Sequence, residues 1–408
     1  MRTDLRPQIV KRLALLTNVV PPQRVDWYRR IGASCQALRI FTCCGTEPNR
    51  RWNSTNDRLD IVQLRSLMLA RSYSSPKGFK EVTYLHLPYN TLSALRRFRP
   101  DAIIAGEMGL RALQAVAYVA LNRRTRLILW ADLSDHTELG RGALRQLVRP
   151  WLLKRADAVI VQGAGGARYV TGHGFDATRV FSVPIPTDIS LATGTAVGSW
   201  KPQLKNHLVI AGRMVPLKNL IPFLKAVSEC VLRGSGARVT VHFIGEGPSR
   251  REIEQFPIPP CLELRCWGEV PYREMPQHLL KGAILAFPTL SDTWGNVVNE
   301  AMSLGLPVLG SSYSQAVEEL VEEGVNGWVF RPDDPSEIRC AVERALGTPE
   351  EELVRMSAAA KRKALSLTPQ YAADLVLEAV RGVKPVERHK KGERAEEAVG
   401  AVRSSVAE

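Results

Sequence analysis

Two cations and two carboxylates in the second half of the chain have types and spacings suited to a phosphorylated sugar. Arg213 and Lys218, in the stretch GRMVPLKN, are five residues apart and follow a predicted strand. A guanidinium fork and an ammonium together match the several negative charges of a diphosphate. Asp292 and Glu300 lie eight positions apart farther along. Because carboxylates accept hydrogen bonds from sugar hydroxyls and repel phosphate, the pattern predicts a sugar and a diphosphate bound side by side.

The stretch around these carboxylates reads as strand, loop, helix and strand, and it must position them. Asn296 is predicted to cap a helix that runs through Leu304. The N-terminus of a helix at the carboxyl end of a parallel strand binds anions through its N–H groups and its dipole. Gly295 allows close backbone approach at this point. We therefore expect Gly295, Asn296 and Val297 to contact the phosphorylated ligand.

The same motifs resemble a known enzyme family. The run D-x7-E-A-M followed by G-x-P-V, the earlier R-x4-K and the later VEEGVNGWVF are similar to glycosyltransferase family 4, the group 1 glycosyl transferases. These are retaining enzymes of GT-B fold, and the likeness covers roughly residues 10–383. The resemblance implies that Arg213 and Lys218 hold the donor diphosphate, Glu300 the ribose hydroxyls and Asp292 the sugar hydroxyls. The family usually has Glu where this chain has Asp292.

The resemblance also implies further donor contacts in the second half. Gly212 precedes Arg213 at a predicted strand end, and the next strand ends in GEGPSR, which contains Glu246 and Gly247. Val270 is the expected backbone contact for the nucleotide base. The donor is expected to be a nucleotide diphosphate sugar, with no cofactor and no metal ion, because protein cations neutralise the diphosphate.

The first half is expected to supply the acceptor side. The resemblance places the loop that precedes Arg24 at the cleft, although a capped surface helix is an equal alternative. Glu107 follows a predicted strand and faces the expected cleft, unless it is an ordinary loop carboxylate. Asp132 and His136 lie in the loop ADLSDHTE, where some relatives place a His against the donor sugar. One His with scattered acids is too weak a pattern for a metal site.

The length and composition are those of a globular protein with two domains. The chain has 408 residues, of which 45% are hydrophobic and 24% charged. No apolar run approaches the roughly 18 residues of a spanning helix, and the N-terminus lacks a signal-peptide pattern. The predicted location is therefore the cytoplasm, including the inner face of the membrane. Seven cysteines without a C-x2-C pair indicate reduced thiols.

The charge is concentrated in one half of the chain. Residues 1–200 carry a net charge of +15 and the remaining residues a net charge of −1, which together give the total of +14. Such a field favours anionic partners, among them an anionic membrane or a lipid pyrophosphate. A helix with Arg145 and Arg149 on one face either lies on a membrane or packs its apolar face in the core. Nucleic acid is not the expected partner, since no aromatic strand motif or recognition helix accompanies the charge.

The predicted fold class is α/β, of GT-B type, with two Rossmann-like domains facing across a cleft and a C-terminal helix crossing back to the first domain. Predicted strands of the first domain include Val82–Leu85. The predicted divisions are an N-terminal acceptor-side domain at 1–187, a linker at 188–205 and a nucleotide-sugar domain at 206–365. A crossover helix at 366–383 and a disordered charged tail at 384–408 follow.

The predicted function is that of a retaining glycosyltransferase. It would move a sugar from a nucleotide diphosphate sugar to a saccharide or polyprenyl-linked acceptor in glycan biosynthesis. Two alternatives remain open: a non-catalytic GT-B protein that binds nucleotide sugar, and a basic nucleic-acid-binding protein.

Overall fold

The computed structural model describes residues 10–21, 24–48, 59–74, 80–140, 142–186, 200–233 and 238–382. Most of the predicted linker, residues 188–199, and the predicted charged tail lie outside these ranges. The division of the chain into domains at the predicted residues therefore stays a prediction.

The first half folds around a parallel sheet of seven strands in the order β3-β2-β1-β6-β7-β8-β9. The inner strands are almost continuous runs of Leu, Ile, Val and Ala, as expected for a sheet covered on both faces. The strands of this half are β1 Arg12–Thr17, β2 Ala37–Thr42, β3 Ile61–Gln63, β4 Ser66–Ser74, β5 Lys80–Pro88, β6 Ala102–Gly106, β7 Arg126–Ala131, β8 Ala158–Val161 and β9 Val180–Ser182.

The predicted strand at Val82–Leu85 has a different place from the one expected. It belongs to β5, which pairs antiparallel with β4 in a separate hairpin. Leu67 pairs with Leu87 and Leu69 with Leu85, so that four leucines share one face of the hairpin. Three of them are exposed, Leu67 by 61%, Leu69 by 52% and Leu85 by 46%. The alternating apolar pattern identified a strand but could not identify its partner.

The second half contains a six-stranded parallel sheet in the order β12-β11-β10-β13-β14-β15. In each sheet the direction in which successive strands are added reverses next to the first strand of that half of the chain. The reversal lies between β1 and β6 in the first sheet and between β10 and β13 in the second. Ligands of open parallel sheets bind at such a reversal, beyond the carboxyl ends of the strands. The strands are β10 His207–Ala211, β11 Val239–Ile244, β12 Leu262–Cys266, β13 Ile284–Phe287, β14 Val308–Ser311 and β15 Gly327–Phe330.

Helices cover both faces of each sheet. In the first half they are α1 Val25–Ala33, α2 Thr91–Phe98, α3 Leu110–Leu121, α4 Asp135–Glu138, α5 Ala143–Leu153 and α6 Ala164–Gly172. In the second half they are α7 Leu220–Arg233, α8 Arg250–Glu254, α9 Met275–Leu279, α10 Asn296–Ser303, α11 Gln315–Leu320, α12 Pro335–Gly347, α13 Glu350–Leu365 and α14 Pro369–Arg381.

The last helix returns to the first half, as predicted. Thr368 caps α14 by accepting a hydrogen bond from the backbone N–H of Tyr371. Ala373, Val376 and Val380 are fully buried in one cluster with Trp27 of α1. The helix also packs against β7, β8 and β9. Together the two parallel-sheet halves and this helix form a GT-B architecture.

Contacts between α6 and α11 join the two halves beside the cleft. Gln315 accepts a hydrogen bond from the N–H of Gly166 at 2.8 Å, and its amide nitrogen donates to the carbonyl of Leu133. Glu319 accepts from the N–H of Ala164 at 2.6 Å. The N-terminal N–H groups of α6 thus obtain acceptors from the other half of the molecule.

No helix in the described ranges is both long and apolar enough to cross a bilayer. None of the seven cysteines, all of which lie in those ranges, forms a disulfide. The predicted basic face of α5 is only partly exposed, because Arg149 is buried and pairs with Glu138, while Leu147 is 73% exposed.

Candidate functional site

A cleft of about 1000 Å³ lies between the carboxyl ends of the two sheets. Loops after β1, β6, β7 and β8 form its first-domain wall, and loops after β10 and β13 form much of its second-domain wall. Eleven of the predicted site residues line it: Arg24, Glu107, Asp132, Gly212, Arg213, Lys218, Val270, Asp292, Gly295, Asn296 and Val297. Glu246, Gly247, Glu300 and His136 are not among its lining residues.

The second-domain wall brings a predicted cation and a predicted carboxylate into contact. Lys218 Nζ lies 2.7 Å from Asp292 Oδ2, and it also lies 4.7 Å from the ring centroid of Phe287. Asp292 Oδ1 accepts a hydrogen bond from the N–H of Trp294 at 3.2 Å. Asp292 therefore holds both Lys218 and the loop that leads into α10. Arg213, on the exposed loop after β10, lines the cleft beside Lys218.

The loop before α10 requires the glycine at position 295. Gly295 has φ 106°, and a Cβ there would lie 2.8 Å from the Phe287 ring and 3.0 Å from Ser314 Oγ. Gly295, and not Asn296 as predicted, is the N-cap residue, since α10 begins at Asn296. The predicted anion site at the helix N-terminus keeps its position, because the first N–H groups of a helix have no acceptor within it.

The GEG loop supports the cation loop from behind. A Cβ on Gly247 would lie 2.3 Å from the carbonyl oxygen of Met214, so that glycine permits contact between the two loops. The N–H of Met214 donates to the carbonyl of Glu246 at 2.8 Å. The Glu246 carboxylate pairs with Arg250 at the surface. In this structure the loop positions the backbone beside Arg213 and does not itself line the cleft.

Two more predicted residues lie away from the cleft lining. Glu300 is half-buried in the second turn of α10. His136 stacks on Tyr313 of the second half, with ring centroids 3.9 Å apart. The Tyr313 hydroxyl donates to Asp333, and burial together with that carboxylate raises its pKa to about 12. His136 thus takes part in the contact between the domains.

Asn18, Glu107 and Arg111 form a polar network on the first-domain wall. Asn18 Nδ2 donates to Glu107 Oε1 at 2.6 Å, and Arg111 donates to Asn18 Oδ1. Arg111 is buried, lies 3.3 Å from Glu107 Oε2 and also donates to the carbonyl of Gly106. Glu107 has φ 58°, a conformation uncommon for a residue with a side chain. The network aims a carboxylate and an amide into the cleft.

Arg24, Asp132 and Gln162 form a second network beside the first. Arg24 lies 3.6 Å from Asp132 and 5.5 Å from the ring centroid of Trp130. Gln162 Nε2 donates to Asp132 Oδ1 at 2.5 Å. Burial, and to a smaller degree the charge of Glu107, raise the pKa of Asp132 above its usual range, although Arg24 opposes the shift. Burial lowers the pKa of Arg24, but the charges and hydrogen bonds of Asp132 and Tyr28 together outweigh burial, so that the pKa of Arg24 is raised.

A side chamber of about 710 Å³ opens from the first-domain end of the cleft. It shares Asn18, Glu107, Asp132 and Thr293 with the cleft lining. Its other lining residues include a group of apolar side chains, Leu85, Met108, Leu110, Leu113, Leu133 and Val148, and a group of polar ones, His86, Arg111, Thr137, Glu138, Arg145 and Arg149. A ligand group that extends past Glu107 would therefore enter a space with both apolar and charged walls.

Sequence reasoning missed several lining residues. Asn18 and Gln162 follow β1 and β8 directly, so their place at strand ends was a usable signal. Trp294 donates to Asn299, which in turn donates to the carbonyl of Ile185; no local pattern marks this link across 114 residues. In the parts of the chain that the structure describes, no group of three or more His, Cys, Asp and Glu is placed to hold a metal ion.

The sequence matches known family profiles over most of the chain. Residues 205–348 match the profile of the glycosyl transferases group 1, and residues 25–186 match the glycosyl transferase 4-like domain. Sulfoquinovosyl transferase SQD2 of Arabidopsis thaliana is 25% identical over 287 residues, which are 65% of this chain and 53% of that protein. The 2-deoxystreptamine glucosyltransferase of Streptomyces kanamyceticus is 24% identical over 68% of this chain and 73% of its own length.

Solved structures show the same fold at low sequence identity. Anabaena Alr3699/HepE in complex with UDP and glucose aligns with a TM-score of 0.66 and 13% identity, over 91% of this chain and all of that one. The lipopolysaccharide outer core galactosyltransferase WaaB aligns with a TM-score of 0.66 and 14% identity, over 91% and 99%. The chain spans about half the length of the first of the curated relatives above. With both halves matched in order, this chain belongs to the group 1 glycosyl transferases, family 4, of GT-B fold.

Proposed function

We propose that this protein is a retaining glycosyltransferase that moves a sugar from a nucleotide diphosphate sugar to a saccharide or polyprenyl-linked acceptor. The observation that carries the proposal is the cluster of Arg213, Lys218 and the α10 N-terminus on one wall of the cleft. These groups face two networks of carboxylates and amides on the other wall. The HepE structure contains UDP and glucose, which supports a nucleotide sugar as donor.

In the proposed reaction the bond between the anomeric carbon and the diphosphate oxygen breaks, and the diphosphate leaves with the electron pair. An acceptor hydroxyl oxygen bonds to that carbon, and its proton passes to a phosphate oxygen of the leaving group. Negative charge grows on the diphosphate as it departs. Arg213, Lys218 and the N-terminal N–H groups of α10 would stabilise that charge, and such preorganised groups are commonly the largest contribution to catalysis.

Lys218 would change partner when the donor binds. In the structure its ammonium is paired with Asp292 at 2.7 Å. A diphosphate of two or more charges would compete with that carboxylate for the ammonium. Asp292 would then be available to accept hydrogen bonds from hydroxyls of the donor sugar. Glu300 would separately accept hydrogen bonds from the ribose hydroxyls. Metal independence belongs to this proposal, because protein groups supply the positive charge. Activity that vanished with EDTA and returned with Mg²⁺ would contradict it.

The acceptor is proposed to lie on the first-domain wall, between the Asn18–Glu107–Arg111 network and the side chamber. Glu107 and Asp132 would accept hydrogen bonds from its hydroxyls. The apolar residues of the side chamber and the exposed leucines of the β4–β5 hairpin favour an acceptor with a lipid part, used at the inner face of an anionic membrane. Flotation with anionic liposomes tests the membrane contact, and absence of the protein from the floated fraction at low salt would contradict it.

A donor panel tests the enzymatic proposal. Common nucleotide sugars would be screened for binding by saturation-transfer NMR and then for turnover with saccharide acceptors, with the product's anomeric configuration read from its coupling constants. A bound donor that is never turned over would favour a non-catalytic nucleotide-sugar-binding protein. Binding of RNA or DNA at physiological salt, without donor binding, would favour the nucleic-acid alternative.

A further inference from the structure

A second charged depression lies on the first domain, away from the cleft. It has a volume of about 510 Å³, and its lining residues are Arg12, Ser93, Arg96, Arg97 and Arg99. We call it the arginine pocket. Arg12 begins β1, while the three other arginines belong to the C-terminal end of α2 and the residue after it. The family motifs of the sequence do not include any of these positions.

The arginines are held close together by the local fold. The Arg12 guanidinium lies 4.8 Å from the centroid of the Phe98 ring, and Phe98 is buried. Arg99 ends α2 in the left-handed conformation, with φ 50°, and its N–H donates to the carbonyl of Leu95. Burial raises the pKa of the neighbouring Tyr118, and the charges of Arg99, Arg12 and Arg96 oppose that shift. Three of the four cations thus act on one phenol.

These charges lack carboxylate partners. Within the described residues, none of the four arginines that line the pocket is within 4.0 Å of a carboxylate oxygen. The buried Arg12 Nε has no hydrogen-bond partner there either. The nearby Asp101 carboxylate is engaged by the backbone N–H groups of Lys11 and Arg12. The dipole at the end of α2 favours Arg96 and Arg97, but four guanidinium groups around one depression repel each other unless an anion is present.

The arginine pocket is separate from the cleft. Arg12 is the first residue of β1, and Thr17, its last residue, lines the cleft. A six-residue strand rises about 17 to 20 Å. The pocket therefore lies at the amino ends of the strands, on the opposite edge of the sheet. Part of the positive charge of the first half is placed where it cannot contact a donor in the cleft.

We propose that the arginine pocket is a binding site for the phosphate groups of a multiply charged ligand. Guanidinium forks match phosphate oxygens in pairs, and four of them require a ligand with at least two negative charges. The volume exceeds that of a single phosphate and accommodates a headgroup or a short polyphosphate chain. The ligand is either a free polyphosphate or the phosphorylated headgroup of a lipid. This site is independent of the glycosyl transfer proposed for the cleft.

The test uses the full chain at about 0.15 M salt, where nonspecific attraction is screened within about 8 Å. The probes are sodium tripolyphosphate, measured by calorimetry, and vesicles of phosphatidylcholine with 20% cardiolipin, whose headgroup carries two phosphates, measured by sedimentation. The variant Arg96→Gln/Arg97→Gln changes exposed helix residues and preserves the fold. The control Arg251→Gln/Arg355→Gln removes the same charge from exposed positions of the second domain. An Arg213→Ala background removes competing binding of tripolyphosphate in the cleft.

We expect the pocket variant to weaken one probe at least tenfold and the control to leave it within about twofold. Loss of tripolyphosphate binding assigns a free polyphosphate, and loss of vesicle binding alone assigns a lipid headgroup. Equal weakening by the pocket variant and the control would overturn the site in favour of general charge attraction. So would a single-stranded oligonucleotide that binds when neither probe does, since a nucleic-acid surface would then explain the charge.

Discussion

The two walls of the cleft obtain their charged groups in different ways. On the second-domain wall Arg213 and Lys218 share one loop, and Asp292 lies in the loop that leads into α10. On the first-domain wall the five residues come from four separate segments of the chain, which contain Asn18, Glu107 with Arg111, Asp132 and Gln162. The first arrangement depends on loop geometry and on glycine, the second on side chains that hold each other. Short motifs therefore mark the second-domain wall, whereas the networks of the first-domain wall form only when distant segments of the chain come together.

The largest expected effect is at Arg213. Arg213→Ala removes a cation from the diphosphate wall, and loss of one such stabilising group typically lowers kcat by about 10²–10³-fold. Steady-state turnover with the identified donor measures it. Arg251→Ala, an exposed arginine of α8, is the matched control and should retain full activity. An unchanged kcat in the Arg213 variant would remove the assignment of this wall to the diphosphate.

A second experiment tests whether the first-domain wall depends on the network of Asn18, Glu107 and Arg111. Arg111→Met leaves Asn18 Oδ1 and the carbonyl of Gly106 without their donor, at a cost of about 2–3 kcal/mol in the free energy of unfolding. We expect a lower urea midpoint and a higher acceptor KM, with donor affinity unchanged. Arg124→Met, at an exposed position after α3, should change stability by less than about 0.5 kcal/mol. Equal losses in both variants would contradict a network that positions Glu107.

A third prediction concerns acid stability of the second domain. His242 is buried, accepts from Trp267 Nε1 at 3.2 Å and lies 3.1 Å from His207 Nδ1. Burial, and next the His207 charge, lower the pKa of His242 from 6.5 to about 4. The unfolded chain therefore binds more protons between those values, and stability falls as the pH falls through them.

The expected loss between pH 7 and pH 5 is about 1–2 kcal/mol, measured as the shift of the urea midpoint. His242→Phe should flatten that slope even if it lowers stability at every pH. The measurement sharpens the comparison between the two halves, because the pKa of His242 is lowered whereas the pKa of the buried Asp132 on the first-domain wall is raised. Identical slopes in the wild type and the variant would contradict the assignment.

The smallest effect is expected at Asp132. Asp132→Asn keeps the size of the side chain and its hydrogen bond from Gln162 but removes the charge that faces Arg24. We expect a fall of about threefold to tenfold in kcat/KM for the acceptor, equivalent to roughly 1 kcal/mol. Wild-type activity should also decline as the pH falls through the raised pKa of Asp132, and the variant should lack that acid limb. If the variant changed donor affinity by the same factor, the assignment of Asp132 to the acceptor would be contradicted.

The fold was predictable to a large extent because the buried strands are short apolar runs followed by helical patterns. The return of the last helix to the first half was also predicted and is confirmed. The hairpin of β4 and β5 was not, since local alternation cannot tell an antiparallel partner from a parallel one. The site roles of Glu246, Gly247, Glu300 and His136 stay predictions, and the structure places these four residues outside the lining of the cleft.

Residue types and spacing alone determined the two cations five positions apart, the glycine before α10 and the parallel-sheet class, because each is a local property of the chain. Tertiary structure alone decided that Lys218 contacts Asp292, that Glu107 is held by Asn18 and Arg111, and that an arginine pocket lies on the far edge of the first sheet. The contact of Lys218 with Asp292 and the contacts of Asn18 with Glu107 and Arg111 join residues 74 to 93 positions apart. Which strand ends meet is determined by the packing of the sheets and not by any pattern along the chain.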